Sequence, residues 1–190
     1  MQGADRPLSV SPDIPDHKEN TMNNDTLILD TETTGVSGED RVVELSIIDT
    51  ESTCVYSCMF NPEMPMPEAA SAVNGITDEM LADKPTFAMQ AQSVAMILRG
   101  KRIAGWNVPF DARMLRNEFI RLGMPEPWSS EWDAMDWFAA RNGIAPKRNG
   151  THYCKLIQAK EMMGLGDSQQ HRALGDCLDT LAVINASRNR

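Results

Sequence analysis

The 190-residue sequence is short of cysteine, histidine and long apolar runs. No stretch approaches the ~18 consecutive apolar residues of a membrane-spanning helix, so none is expected. The first residues, MQGADRPLSVSPDIPDHKENT, lack the basic start, apolar centre and small-residue cleavage site of a secretory signal. The expected location is therefore the cytoplasm, and Cys54, Cys58, Cys154 and Cys177 are expected as reduced thiols rather than as two disulfides. A zinc set of Cys54, Cys58, His152 and Cys154 is a weaker reading, because His152 and Cys154 lack the spacing of paired ligands.

Basic residues are scarce too. Eighteen Lys and Arg against 27 Asp and Glu leave a net charge of −9, without the basic footprint usual in polyanion binders. The imbalance is local: residues 1 to 95 hold 4 basic and 17 acidic side chains, whereas residues 96 to 190 hold 14 and 10. Two readings of the acidic half stay open. It forms a solvated surface, or some of its carboxylates hold divalent cations that cancel their charge.

What remains, 42% hydrophobic and 24% charged, suits one soluble domain with a sizeable core. Residues 1–24 are polar, carry Pro7, Pro12 and Pro15, and have no hydrophobic period, so they read as a disordered arm before a domain over 25–190. Met22 is a candidate start of a shorter chain, and residues 1–21 are expected to be dispensable. TLILD (Thr26 to Asp30), RVVELSIIDT (Arg41 to Thr50) and TCVYSCMF (Thr53 to Phe60) read as three successive hairpin-joined strands. The proline-rich Asn61 to Pro67 is a loop. Helices are predicted over Asp78 to Ala82, Thr86 to Leu98, Pro109 to Leu122, Lys155 to Met163 and Arg172 to Ser187. Arg102 to Trp106 reads as a strand, and Trp132 to Trp137 as strand or helix. A strand meander followed by alternation with helices indicates an α/β layer in which helices cover a mixed sheet.

Three segments concentrate chemistry. In LILDTETTG, Asp30 and Glu32 sit two apart at the end of a buried strand, so the period of two puts both on one face. Paired buried carboxylates repel each other and are tolerated mainly around a cation; if the strand has already ended, both point to water. In IAGWNVPFDARML, Asn107 and Asp111 follow a strand and open a helix, where α/β sheets place ligands. A first-turn carboxylate complementing the helix dipole explains Asp111 equally well. In HRALGDCLDT, five residues separate His171 from Asp176, roughly 140° around a helix, so the two converge only if His171 comes from the preceding loop or first turn.

Taken together, these segments closely resemble the DEDDh, DnaQ-like branch of the 3′-to-5′ exonucleases in the ribonuclease H-like superfamily. The D-x-E-T-T-G motif matches Asp30, Glu32, Thr33, Thr34 and Gly35; the second motif matches Asn107, Phe110 and Asp111; H-x4-D matches His171 and Asp176. The resemblance spans about Asp25 to Ala186. Two positions depart from it: Trp106 stands where many relatives have His before the Asn, and Asn74-Gly75-Ile76-Thr77 stands where many have H-G-I-T.

The resemblance implies an α/β, ribonuclease H-like mixed five-stranded sheet with three antiparallel leading strands, flanked by helices. It implies two Mg²⁺ ions, with Mn²⁺ as a substitute, held by Asp30, Glu32, Asp111 and Asp176. His171 would be the general base, a role suited to the side chain that changes charge near neutral pH. Thr33, Thr34, Gly35, Asn107 and Phe110 would bind substrate, although Phe110 has core packing as an equal reading. Arg113, Arg116, Lys147, Arg148 and Arg172 are candidate phosphate contacts. The expected partner is a nucleic-acid 3′ end, single-stranded DNA ahead of RNA, and no membrane. A non-catalytic binding or polymerase-associated module is the alternative class. The chain ends 14 residues after Asp176, so a free-standing enzyme is expected over a tethered subunit.

Overall fold

The computed structural model describes residues 22, 25–147, 149–168 and 171–189. The expected arm lies outside these residues except for Met22, which is half-buried against the core.

Five strands form one mixed sheet: β1 (Thr26–Thr33), β2 (Val42–Ile48), β3 (Cys54–Met59), β4 (Arg102–Gly105) and β5 (Ser130–Asp133). Their order is β3-β2-β1-β4-β5, with β1, β2 and β3 antiparallel and β4 and β5 parallel to β1. This is the predicted mixed sheet with three antiparallel leading strands. The β2–β3 hairpin turns on Asp49, whose carboxylate accepts the backbone N–H groups of Glu51 and Thr53 at 2.9 and 2.8 Å.

Among the described residues seven helices cover it: α1 (Glu68–Asn74), α2 (Asp78–Leu81), α3 (Phe87–Leu98), α4 (Val108–Arg121), α5 (Ala134–Arg141), α6 (Leu156–Met163) and α7 (Ala173–Arg188). Helix α1 lies where the sequence reading left a gap after the prolines. Among its residues only Asn74 is buried, so it has no apolar stripe to betray it. The ambiguous Trp132 to Trp137 segment contains a strand end and a helix start: Asp133 closes β5, and its carboxylate caps α5 by accepting from Met135 N–H.

Strand alternation divides the core. Leu27 and Leu29 face α3 and α4, in a cluster where Phe60, Phe87 and Phe119 meet edge to face at 5.3 and 5.5 Å. Ile28 faces the other way, against Cys177, Leu181 and Ile184 of α7. Each such aliphatic side chain contributes ~1.5–3 kcal/mol by burial, which anchors α4 and α7 on opposite faces of β1. Gly105 lets β4 end close beside β1, since a Cβ there would meet the Leu29 carbonyl oxygen at 2.7 Å.

Candidate active site

Strand β1 runs through Thr33, so Asp30 and Glu32 lie inside the strand rather than beyond its end. They continue the face of Ile28, towards α7, while Thr31 continues the face of Leu29, towards α4. The oxygens of Asp30, Glu32 and Asp176, the last on the first turns of α7, lie within 4.8 Å of one another. Asp111 approaches from the opposite face. It is 3% exposed, and one of its oxygens accepts the Thr31 N–H at 2.9 Å and the Thr31 hydroxyl at 2.7 Å. Three of the four predicted metal ligands thus form a cluster, and the fourth is fixed behind the strand.

Crowding shows in the protonation equilibria. Burial pushes the Asp30 carboxyl well above its ordinary range, and Asp111, Asp176, Glu32 and Glu44 push it further. Glu32 is raised to about 8, by burial first and then by Asp176, Glu44 and Asp111, against a hydrogen bond from Asn74 that lowers it. Asp111 is raised to about 7 by burial, with the two Thr31 hydrogen bonds opposing. The charged neighbours that move Asp30 and Glu32 most are other carboxylates. A hard divalent cation takes oxygen ligands in such a cage, and its charge would remove both the repulsion and much of the cost of burial. The donor set fits it.

His171 lies two residues before α7, exposed, with φ 48°. It therefore enters from the loop, which is the placement the 140° offset demands. Its neighbour Arg172 fixes that loop through a bidentate pair with Glu44, at 3.0 Å from Nε and 2.6 Å from Nη2. Glu44 also accepts the Ala173 N–H at 3.1 Å. Glu44 stands directly opposite Glu32 in the β1–β2 register and is 5% exposed. The sequence reading passed over it. Its only signal there was an acidic residue inside a largely apolar strand.

The turn after β1 is braced internally. The Thr33 hydroxyl donates to the Gly35 carbonyl at 2.6 Å, and the Thr34 hydroxyl donates to Asp40 at 2.9 Å. A Cβ at Gly35 would lie 2.6 Å from the Asp40 carboxylate, so a larger residue there would displace that side chain from its bond to Thr34. Asn74 ties α1 to this turn through the Thr33 carbonyl and holds Ile76 N–H with its own oxygen. Asn107 is exposed in a left-handed conformation, φ 66°, ahead of α4, and Asp133 accepts its N–H at 3.0 Å. Phe110 divides its surface: one part packs on the core, and the Arg113 guanidinium lies 5.4 Å from its ring.

The candidate phosphate contacts scatter. Arg113 donates to the Val36 carbonyl, Arg116 pairs with Glu126 and Glu131, and Arg172 is held by Glu44. Lys147 sits over Tyr153, and Arg148 lies outside the described residues. The zinc reading finds no support: Cys54 and Cys58 lie on the edge strand β3, His152 is bonded to Asp136, and the metal-competent group among the described residues is the carboxylate trio. All four cysteines are unbridged.

The mixed β3-β2-β1-β4-β5 sheet thus carries a partly buried acidic cluster on its central strand. Residues 27–184 match the exonuclease family profile, and the chain belongs to that DnaQ-like family. It is 29% identical over 172 residues to an exonuclease of Escherichia phage 186, covering 87% of this chain and 89% of the relative. It is 34% identical over 159 residues to the DNA polymerase III subunit epsilon of Rickettsia felis, covering 79% and 68%. Among solved structures, E. coli exonuclease I in complex with a dT13 oligonucleotide shares the fold, with a TM-score of 0.73 and 23% identity. That match covers 87% of this chain and 41% of exonuclease I. No described helix is long and apolar enough to cross a membrane.

Proposed function

We propose that this exonuclease removes nucleotides from the 3′ end of single-stranded DNA, releasing nucleoside 5′-monophosphates in a divalent-metal-dependent hydrolysis. The observation that carries the reading is the convergence of Asp30, Glu32 and Asp176 within 4.8 Å, with Asp111 buried behind them and His171 on the adjoining loop. These four carboxylates would hold two Mg²⁺ or Mn²⁺ ions. Such ions, when bound, stabilise the attacking and leaving oxygens of a phosphodiester displacement. The remaining work falls to the chain itself. His171 accepts the proton of the attacking water, Glu44 and Arg172 hold the loop that carries it, and the Thr33–Gly35 turn, Asn107 and Phe110 face the terminal nucleotide.

DNA is favoured over RNA because relatives are named as DNA polymerase III epsilon subunits and the fold match to exonuclease I is a complex with dT13. The epsilon names equally favour a polymerase partner as a second reading, tested by co-elution with a replicative polymerase subunit. The test of the activity is degradation of 5′-labelled single-stranded DNA, duplex DNA and RNA with Mg²⁺, Mn²⁺ or chelator. A stepwise ladder on single-stranded DNA that disappears in EDTA is expected. Preference for RNA would transfer the reading to an exoribonuclease, and binding without hydrolysis in either metal would leave a non-catalytic module.

A further inference from the structure

An open cavity of about 400 Å³ is lined by residues of four segments, His171 and Asn107 among them. Trp106, Tyr153, Met135 and Ile157 also line it. Trp106 is held in place: its Nε1–H donates to the Cys154 carbonyl at 2.8 Å, and its ring packs on Phe138 at 5.5 Å. Tyr153 is 46% exposed, and the Lys147 ammonium lies 4.0 Å from the centre of its ring. Lys155 also lines the cavity, and no carboxylate does. This sets it apart from the 390 Å³ cavity between β5 and α5, which is lined by Glu131, Asp133 and Asp136 and would repel a phosphate. In a chain of net charge −9, the cavity next to the proposed general base combines aromatic walls with ammonium groups.

That combination matches one ligand chemistry, a flat heterocycle carrying a phosphate. Bases stack on aromatic side chains irrespective of sequence, and lysines follow the backbone. We infer that the cavity holds the nucleobase 5′ to the scissile bond, the penultimate base of the substrate, stacked on Tyr153 and Trp106 with Lys155 and Lys147 towards its phosphates. This deepens the exonuclease reading above and rests on it. The terminal nucleotide lies at the Thr33–Gly35 turn, and the penultimate base, seated across His171 from it, would hold the scissile phosphate between the two.

The test compares two single-stranded oligodeoxynucleotides of identical sequence, one intact and one abasic at the penultimate position, as substrates for wild type, Tyr153→Ala and Tyr153→Phe. Wild type is expected to show a KM about 5- to 100-fold lower for the intact substrate, the span of one stacked base. Tyr153→Ala should raise KM for the intact substrate and shrink that ratio towards one, and Tyr153→Phe should preserve it. Equal KM values for the two substrates in wild type, or an equal rise for both in Tyr153→Ala, would overturn the inference while the exonuclease reading stands. A wild-type protein that hydrolyses neither would overturn both. The wild-type substrate pair decides the matter even if Tyr153→Ala fails to fold.

Discussion

Glu118 and Asp30 are carboxylates on opposite faces of the same sheet, the first buried and the second half-buried, and the protein treats them in opposite ways. Glu118, 1% exposed on α4, receives the Arg41 Nε and Nη2 at 2.8 and 3.1 Å and the Val42 N–H at 3.1 Å. Glu44 is matched in the same fashion by Arg172 and Ala173. The charged neighbours that move Asp30 and Glu32 most are further carboxylates, and both carboxyls are raised above the ordinary range. For the buried Glu118 and Glu44 the chain supplies a guanidinium; at Asp30 and Glu32, on the function proposed above, the compensating charge would come from a bound cation. Arg172 marks the boundary, since it pairs with Glu44 yet also feels Glu32.

The contrast predicts opposite results for equivalent substitutions. The largest expected effect is on activity: Asp30→Asn should reduce hydrolysis to background, a loss of ~10³-fold or more if metal placement supplies several kcal/mol of transition-state stabilisation. The same variant should remain folded. Next, His171→Asn should lower kcat by about 10² to 10⁴, the usual span for a general base, while metal affinity measured by titration stays near wild type. A proportional loss of metal affinity would place His171 among the ligands instead.

On the structural side, Glu118→Gln should be costly, by about 3 kcal/mol or more, because it strands the Arg41 guanidinium, whose side chain is 21% exposed. Thermal melting should report this as a fall of roughly 10 °C. Glu44→Gln should cost less, about 1–3 kcal/mol, since the Arg172 side chain is 39% exposed and water can take over part of the pairing. Equal losses from Glu118→Gln and Asp30→Asn would erase the distinction between the two kinds of site.

The smallest effect concerns pH. Below its ordinary value of 4.5, Glu32 is protonated in both folded and unfolded chains; between 4.5 and about 8 only the folded chain retains the proton. The metal-free protein should therefore lose stability as pH rises through that window, and level off above it. Melting in EDTA from pH 5 to 9 measures this. In that window Asp30→Asn should raise the melting temperature by ~2–4 °C for each ~1 kcal/mol of repulsion relieved.

Much of this was legible in the residues. The order of strands and helices follows from hydrophobic period, and the DTETTG, NVPFD and HRALGD segments carry the cluster and its neighbours. What was hidden depends on contacts distant in sequence. Glu44 reads as one acid in a strand until the register sets it opposite Glu32 and 128 residues from Arg172. Asn74 is a polar residue at the end of an unmarked short helix until it reaches the Thr33 carbonyl. Asp111 looked like a helix-dipole carboxylate or a ligand, and its bonds to Thr31 fix it to the back of the very strand whose front bears Asp30 and Glu32. The Tyr153 cavity had no sequence signature, because Trp106, Met135, Tyr153 and His171 come from four separate segments.

The most direct measurement is calorimetric titration of the metal-free protein with Mn²⁺ near pH 7, repeated in buffers of different ionisation enthalpy. A site whose carboxylates hold protons until a cation arrives must release them on binding. Binding with net proton release in wild type, reduced in Asp30→Asn, is the predicted result. Binding with no proton release, or release undiminished in Asp30→Asn, would contradict the view that the unmatched charge at Asp30 and Glu32 is reserved for a metal ion.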